Sequence, residues 1–227
     1  MGNLSGWQGN FIPNVEFTIA QGATESAAVN TKGLALAGIL LPSVFTGTAL
    51  TFMVGDSEDG FAAKGQAVFS GVCSDGDTIE INGVEITFVA ASPGANEVLI
   101  GATAAETVEN LQAFLDDTDD ADLLECSYES EGAVLMVTAV EHGTAGNAFT
   151  FDKSSSDITL TPSGGTLAGG GFRPLYNSAN SLVSMTVAQG RAYAVDPALF
   201  QGVFWLKLKS GTTEVAQRSV ICSLKGF

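Results

Sequence analysis

Short runs of apolar residues, alternating or continuous and bounded by residues that favour turns, recur along both ends of the chain. This pattern is typical of β-strands. The predicted strands are Val15–Ala20, Leu34–Leu41, Thr48–Val54, Leu182–Ala188, Val203–Lys209 and Val215–Leu224. Six strands with turn signals between them favour a β-sandwich over a barrel or a helical fold. We therefore predict a mainly β fold, a jelly-roll or immunoglobulin-like sandwich.

The middle of the chain combines strands with a helix. Residues 78–89 read TIEINGVEITFV, two alternating runs joined by Asn82-Gly83, which is the strongest local signal of a β-hairpin. Thr103 and Glu106 have the spacing of a capping box at the start of a helix. The apolar stripe predicted for this helix is Ala104, Val108, Leu111 and Leu115. Further strands are predicted at 123–128, 133–140, 149–151 and 158–160. This region is predicted to be a small α+β unit.

Charge divides the chain in the same way. Residues 61–171 contain nine Asp, nine Glu and only two bases, Lys64 and Lys153. The net charge of this segment is therefore −16, which is the net charge of the whole chain. Residues 1–60 and 172–227 contain seven acids and seven bases. The boundaries are rich in glycine, a property of sites that tolerate domain insertion. We therefore predict a discontinuous sandwich, 1–60 with 172–227, that carries an inserted acidic α+β domain at 61–171.

Composition narrows the classes of function. The chain has 227 residues, of which 45% are hydrophobic and 15% charged, so we expect a globular protein with a real core. The sequence pI near 4.1 argues against binding to nucleic acid or to an anionic membrane. The most apolar stretch, residues 34–45, is too short to span a membrane and is interrupted by Pro42. The first residues lack the pattern of a signal peptide, so synthesis in a cytoplasm is expected.

Reactive side chains are few. Cys73, Cys126 and Cys222 form no CxxC pair, which indicates a reduced protein, and we expect Cys126 and Cys222 in the core. His142 is the single histidine and lies in a glycine-rich turn without a nucleophile motif. We therefore expect no enzyme, no catalytic residue and no cofactor.

Two binding sites can be considered from the sequence. Residues 116–122 (DDTDDAD) suggest calcium, but Ala121 and Ser127 stand where the calcium loop needs glycine and a bidentate glutamate. We therefore favour a solvated acidic turn over a metal site. A sugar-binding aromatic platform is a second hypothesis, but we favour the alternative that the same rings fill the core. Its residues are Trp7, Trp205, Tyr176 and Tyr193.

The chain resembles virion structural proteins of tailed phages. In the outer segments the resemblance rests on residues 17–24 (FTIAQGAT), 39–42 (ILLP), 50–52 (LTF), 191–197 (RAYAVDP), 206–212 (LKLKSGT) and 216–218 (AQR). In the middle it rests on residues 81–84 (INGV), 101–107 (GATAAET), 143–148 (GTAGNA) and 166–170 (TLAGG), which are similar to a module of phage head and tail proteins. These stretches are strand and turn patterns, so the resemblance implies a part of the virion and no functional residues.

The resemblance leads to a capsid decoration (cement) protein as the first hypothesis. Such a protein is made in the host cytoplasm and binds the major capsid protein and copies of itself on the capsid surface, with a trimer as one arrangement. A tail, adaptor or fibre-base component is the alternative within the virion. A carbohydrate-binding adhesin is the alternative from another class. Because burying unpaired carboxylates is costly, we expect the neutral sandwich to dock and the acidic insert to face solvent.

Overall fold

The computed structural model of the protein describes residues 14–226. The first segment forms β1 (Asn14–Ile19), β2 (Val29–Asn30), β3 (Ala35–Leu40) and β4 (Ala49–Gly55). The middle forms β5 (Ala62–Phe69), β6 (Thr78–Ile81), β7 (Val84–Val89), β8 (Glu97–Leu99), helix α1 (Ala104–Asp116), β9 (Cys126–Glu131), β10 (Val134–His142), β11 (Phe151–Lys153) and β12 (Ile158–Thr161). The last segment forms β13 (Arg173–Pro174), β14 (Ser184–Thr186), β15 (Ala192–Ala194), β16 (Trp205–Ser210) and β17 (Arg218–Lys225). The predicted mainly β fold is confirmed.

Contacts divide the described residues into two compact units, 14–60 with 172–226 and Phe61–Gly171. The division falls where the net charge of the sequence changes. Each unit has its own apolar core, which is the property expected of a domain. We call the first unit the sandwich and the second the insert. Within residues 14–226, no helix is long and apolar enough to cross a membrane.

The sandwich consists of two antiparallel sheets. Sheet I has the strand order β1-β17-β3-β15, and sheet II has the order β13-β4-β16-β2, with β14 also paired to β4. Both sheets contribute alternate side chains to one core, in which the rings of Phe52 and Phe200 meet edge to face with centroids 5.0 Å apart. Strand β4 leads into the insert, and the chain that returns from the insert pairs with the same strand, because Arg173 of β13 pairs with Val54 of β4.

The insert contains two four-stranded sheets and helix α1 around one core. Sheet III has the order β12-β5-β10-β9, and sheet IV has the order β11-β6-β7-β8, in which β7 and β8 are parallel. The predicted hairpin is confirmed, with Asn82 and Gly83 at φ 47° and 84°. At the ends of the insert, the backbone N–H of Phe61 donates to the carbonyl of Gly171 at 2.9 Å, and the N–H of Gly171 donates back at 2.8 Å.

The two predicted capping residues act at the start of helix α1, but Glu106 reaches back one residue beyond the N-cap residue Thr103. The N–H of Glu106 donates to the Thr103 hydroxyl at 3.2 Å, and the Glu106 carboxylate accepts from the N–H of Ala102 at 2.7 Å. The predicted apolar stripe is buried in the core, except that Ala104 is only partly buried. Helix α1 therefore forms where local capping and the apolar period agree.

Several predicted strands are wrong at their ends. Strand β3 stops at Leu40, before Pro42, and the strand predicted at 182–188 is only the three residues of β14. Residues Leu123–Glu125 form a 3₁₀ turn, and residues 215–217 precede β17. Leu41, Leu123 and Val187 are buried although they lie outside the strands, whereas Val215 and Leu124 are exposed. Periodicity alone does not distinguish apolar residues of a strand from apolar residues of the adjoining turn.

Candidate docking surface

The outer face of sheet I presents small and apolar residues to solvent. Strand register places two rows across all four strands, from β1 to β15. The first row is Glu16, Ile221, Leu40 and Ala192, and the second is Asn14, Ser223, Gly38 and Ala194. We call these eight residues the sheet I face. Leu40 and Ile221 are neighbours on it and are 45% and 43% exposed, so two aliphatic side chains lie side by side on this surface.

Burial of the sheet I face involves little loss of hydration. Its polar side chains include one pair that is already satisfied, because the Ser223 hydroxyl donates to the Asn14 side-chain oxygen at 3.0 Å. Glu16 is the one charged residue of the eight and lies on the edge strand β1. Polar groups that keep a hydrogen bond when buried avoid most of the desolvation penalty. The sheet I face is therefore suited to contact another protein surface.

The outer face of sheet II has a different character. The Lys207 ammonium lies over the ring of Phe172, 4.3 Å from its centroid. Lys209 forms an ion pair with Glu25 at 2.9 Å. These lysines already have partners within the sandwich, and an interface here would have to desolvate both charges. Of the two outer faces of the sandwich, sheet I is the better docking surface.

A buried carboxylate fixes one end of the sandwich. Glu214 is fully buried and accepts hydrogen bonds from the backbone N–H groups of Thr46 and Gly47 at 3.0 and 3.1 Å, and from the Ser210 hydroxyl at 3.0 Å. Burial acts to raise the pKa of Glu214, but these hydrogen bonds outweigh it and hold the pKa below its ordinary value. Glu214 thus ties the loop after β3 to the turn between β16 and β17.

Arg218 completes this end of the sandwich. Its Nε lies 3.4 Å from the Glu214 carboxylate, and its side chain is only 14% exposed. The Arg218 Nε forms no hydrogen bond, so the contact is an ion pair without good hydrogen-bond geometry. Loss of the Glu214 charge would leave this guanidinium largely buried without its counter-ion.

The four aromatic residues considered as a sugar-binding platform lie in different parts of the chain. Tyr193 lies in sheet I and packs against the core, and its hydroxyl oxygen accepts the N–H of Ala188 at 2.6 Å. Trp205 lies in sheet II. Tyr176 is exposed in a separate turn that it forms with Leu182, and Trp7 lies outside the described residues. The three described rings therefore form no common surface for a sugar.

The acidic turn after α1 is held by its own hydrogen bonds. The Asp120 carboxylate accepts the backbone N–H groups of Asp122 and Leu123 at 3.0 and 3.2 Å. Within residues 14–226, no group of three His, Cys, Asp or Glu side chains is placed to hold a metal ion. His142 lies exposed at the end of β10, where its backbone pairs in register with Ala62. The turn and the histidine lie in different elements of the insert.

The three cysteines are free thiols inside the two cores. The prediction that Cys126 and Cys222 are core residues is confirmed, and Cys73 is buried as well. Burial raises the pKa of Cys73 and Cys126 to about 11 and that of Cys222 to about 12. At neutral pH these thiols are protonated and are therefore poor nucleophiles.

Comparison with known proteins adds no family, because no family model, curated protein or solved structure matches the chain. The candidate surface therefore rests on geometry. Sequence reasoning missed Leu40 and Ile221, because a predicted strand does not by itself show which of its residues are exposed. Position within the alternation could have identified them: Ile39 and Cys222 face the core, so their chain neighbours face outward.

Proposed function

We propose that the protein is a structural, non-enzymatic virion component of a tailed phage, a capsid decoration protein that docks through the sheet I face. Its partner is the major capsid protein of the assembled head. The observation that carries the proposal is the nearly uncharged, exposed sheet I face in a chain whose net charge is −16. The resemblance of the sequence to phage structural proteins supplies the class of partner.

The size of the sheet I face sets how such docking operates. Four strands and two rows cover a few hundred Å², given strand spacing of about 4.8 Å, whereas a stable interface buries about 800 Å² on each partner. A single contact of this size is weak. Many copies on a lattice of identical subunits, with contacts between neighbours, give the required avidity. Because the protein binds the assembled shell in preference to free subunits, binding stabilises the shell.

The test uses empty expanded heads of the phage that encodes the protein. We expect the purified chain to cover the head surface at regular lattice positions in a cryo-EM map and to raise the temperature at which heads rupture. Density confined to the tail, the neck or the fibre base would overturn the decoration assignment in favour of the other virion positions. Glycan binding by the free chain without head binding would favour the adhesin.

A pair of variants tests the surface itself. Ile221→Lys places a charge in the sheet I face, and we expect it to reduce head occupancy at least tenfold. Leu182→Lys is the matched control, because Leu182 is also 43% exposed in the sandwich but lies outside the face. Equal occupancy for both variants, with unchanged melting temperatures, would contradict docking through sheet I.

A further inference from the structure

The outer face of sheet III is a second exposed surface of low net charge, and it lies on the acidic insert. Strand register places its residues in three rows across β12, β5, β10 and β9. The rows are Thr159, Val68, Val134 and Glu131; then Thr161, Gln66, Met136 and Glu129; and then Lys64, Thr138 and Ser127. We call these residues the sheet III face. Val68, Val134 and Met136 form its apolar centre.

The sheet III face has a net charge of −1, from Glu129, Glu131 and Lys64. Only two of the eighteen carboxylates of the insert lie on it, Glu129 and Glu131, both on the edge strand β9. It also contains Lys64, one of only two bases in the insert. In the part of the chain that the structure describes, neither Lys64 nor Glu129 forms an ion pair or a side-chain hydrogen bond. A lysine without a partner among so many carboxylates is available to a second molecule.

Lys64 and Glu129 lie on opposite sides of the central strand β10. Their strands, β5 and β9, are two strand spacings apart, and the two residues are offset by two positions along the strands. This places their Cα atoms about 12 Å apart. Met136 lies between them, directly opposite Glu129 in the register. A two-fold axis through this region and parallel to the sheet brings Lys64 of one copy opposite Glu129 of a second copy, and the reverse. At this pair of residues the sheet III face is therefore complementary to itself.

We propose that two copies of the chain pair through their sheet III faces, with Lys64 of each copy against Glu129 of the other and Met136 at the centre. The interface is isologous, which is the commonest arrangement in homo-oligomers. Three rows on four strands cover about 350 Å², less than half of the roughly 800 Å² per partner of a stable dimer. The pair is therefore weak and reversible. The proposal is independent of docking on a head.

Charge reversal in the full chain gives a direct test by sedimentation equilibrium, at 0.15 M salt and up to about 1 mM protein. We expect Lys64→Glu and Glu129→Lys each to weaken self-association at least tenfold. The double variant, Lys64→Glu with Glu129→Lys, restores the pairing and is expected to associate within about threefold of the unchanged chain. Met136→Glu places a carboxylate at the centre and abolishes association.

Glu109→Lys is the matched control, since it makes the same charge change at an exposed position of α1 and is expected to leave association unweakened. Glu129→Lys reduces the net negative charge of the insert. If general repulsion between inserts governed association, this variant would associate more strongly, whereas the proposed pairing predicts weaker association. Absence of self-association in the unchanged chain would overturn the proposal. So would a double variant weaker than either single one, or loss of head binding by Lys64→Glu without any dimer in solution. Circular dichroism checks that each variant is folded.

Discussion

The sandwich and the insert are both small, mainly antiparallel β units, but they place their charged groups in different ways. In the sandwich, two acids have close partners: Glu25 pairs with Lys209, and the buried Glu214 accepts three hydrogen bonds. In the insert, strand register places Asp152, Glu80 and Glu85 side by side on sheet IV without a base between them. Like charges directly opposite in a sheet are destabilising.

This difference shows what each unit can do with a partner. An exposed row of carboxylates is tolerated while water solvates it, but its burial in an interface would be costly. The sandwich therefore has a whole sheet face that can be buried, whereas the insert has only the sheet III face. The excess charge of the insert opposes the approach of two inserts, and the pairing proposed at the sheet III face has to overcome this repulsion, which salt weakens.

The largest expected effect is on the sandwich. Glu214→Gln removes the charge that Arg218 faces and weakens the hydrogen bonds from Thr46 and Gly47, so we expect the free energy of unfolding of the sandwich to fall by about 3–5 kcal/mol. Glu85→Gln, at an exposed position of the insert, is the control and should change stability by less than about 0.5 kcal/mol. Hydrogen exchange read by mass spectrometry reports each unit separately. A loss of protection in the insert equal to that in the sandwich would contradict separate units.

The contribution of Glu214 also depends on pH. Because its pKa is lowered in the folded state, its stabilisation is present above the ordinary carboxyl value of 4.5 and is lost as the pH falls through the folded pKa. The difference in stability between the unchanged chain and Glu214→Gln should therefore shrink below about pH 4. Urea unfolding at pH 7 and pH 3 measures it, and a difference that stays constant would contradict the lowered pKa.

The next effect is on the insert. A Cβ atom added at Gly65 would lie 2.6 Å from the Leu167 side chain and 2.7 Å from the ring of Phe151. We expect Gly65→Ala to destabilise the insert by about 1–3 kcal/mol through overpacking and to leave the sandwich unchanged. Gly164→Ala is the control, because a Cβ atom there meets nothing within 4 Å. Equal melting curves for both variants would show that the core of the insert is not close-packed at Gly65.

A smaller effect is expected at the start of helix α1. Thr103→Ala removes the hydroxyl that accepts the N–H of Glu106, which should reduce the stability of the insert by about 1 kcal/mol. Thr103→Ser retains an acceptor and should recover most of this loss. Denaturant unfolding followed by the circular dichroism of the helix compares the three chains. If the serine variant is as unstable as the alanine variant, the cap is not the cause.

The smallest effect concerns calcium. At constant ionic strength, we expect addition of calcium or of EDTA to leave the melting temperatures of both units unchanged, since the acidic turn after α1 lacks the ligand pattern of a calcium loop. Differential scanning calorimetry measures both transitions. A rise of several degrees for the insert, specific to calcium, would show that this turn binds the ion.

Local signals account for the features that could be predicted from the sequence. Asn82-Gly83 requires positive φ at two neighbouring residues, and Thr103 with Glu106 caps a helix, so both features depend on a few adjacent residues. The bounds of the units agree with the change in charge because the insert is a continuous segment of different composition. Independent folding of the units stays a prediction.

The candidate surface depends on long-range register, which the sequence does not specify. Leu40 becomes a neighbour of Ile221 only when β3 pairs with β17, across nearly the whole length of the chain. Glu214 looks like a surface acid in the sequence, and its role emerges only when the loop with Thr46 and Gly47 closes over it. Properties of this kind arise from tertiary pairing, for which periodicity gives no signal.

Division of the chain tests most directly the claim that the sandwich docks and the insert does not. One protein lacks residues 61–171 and joins 60 to 172 through a short Gly/Ser linker, and a second consists of residues 61–171 alone. Both are mixed with empty expanded heads, and bound protein is measured after sedimentation. We expect the sandwich to fold cooperatively and to bind with nearly full occupancy, and the insert to remain in solution. Binding by the isolated insert but not by a folded sandwich would contradict the account.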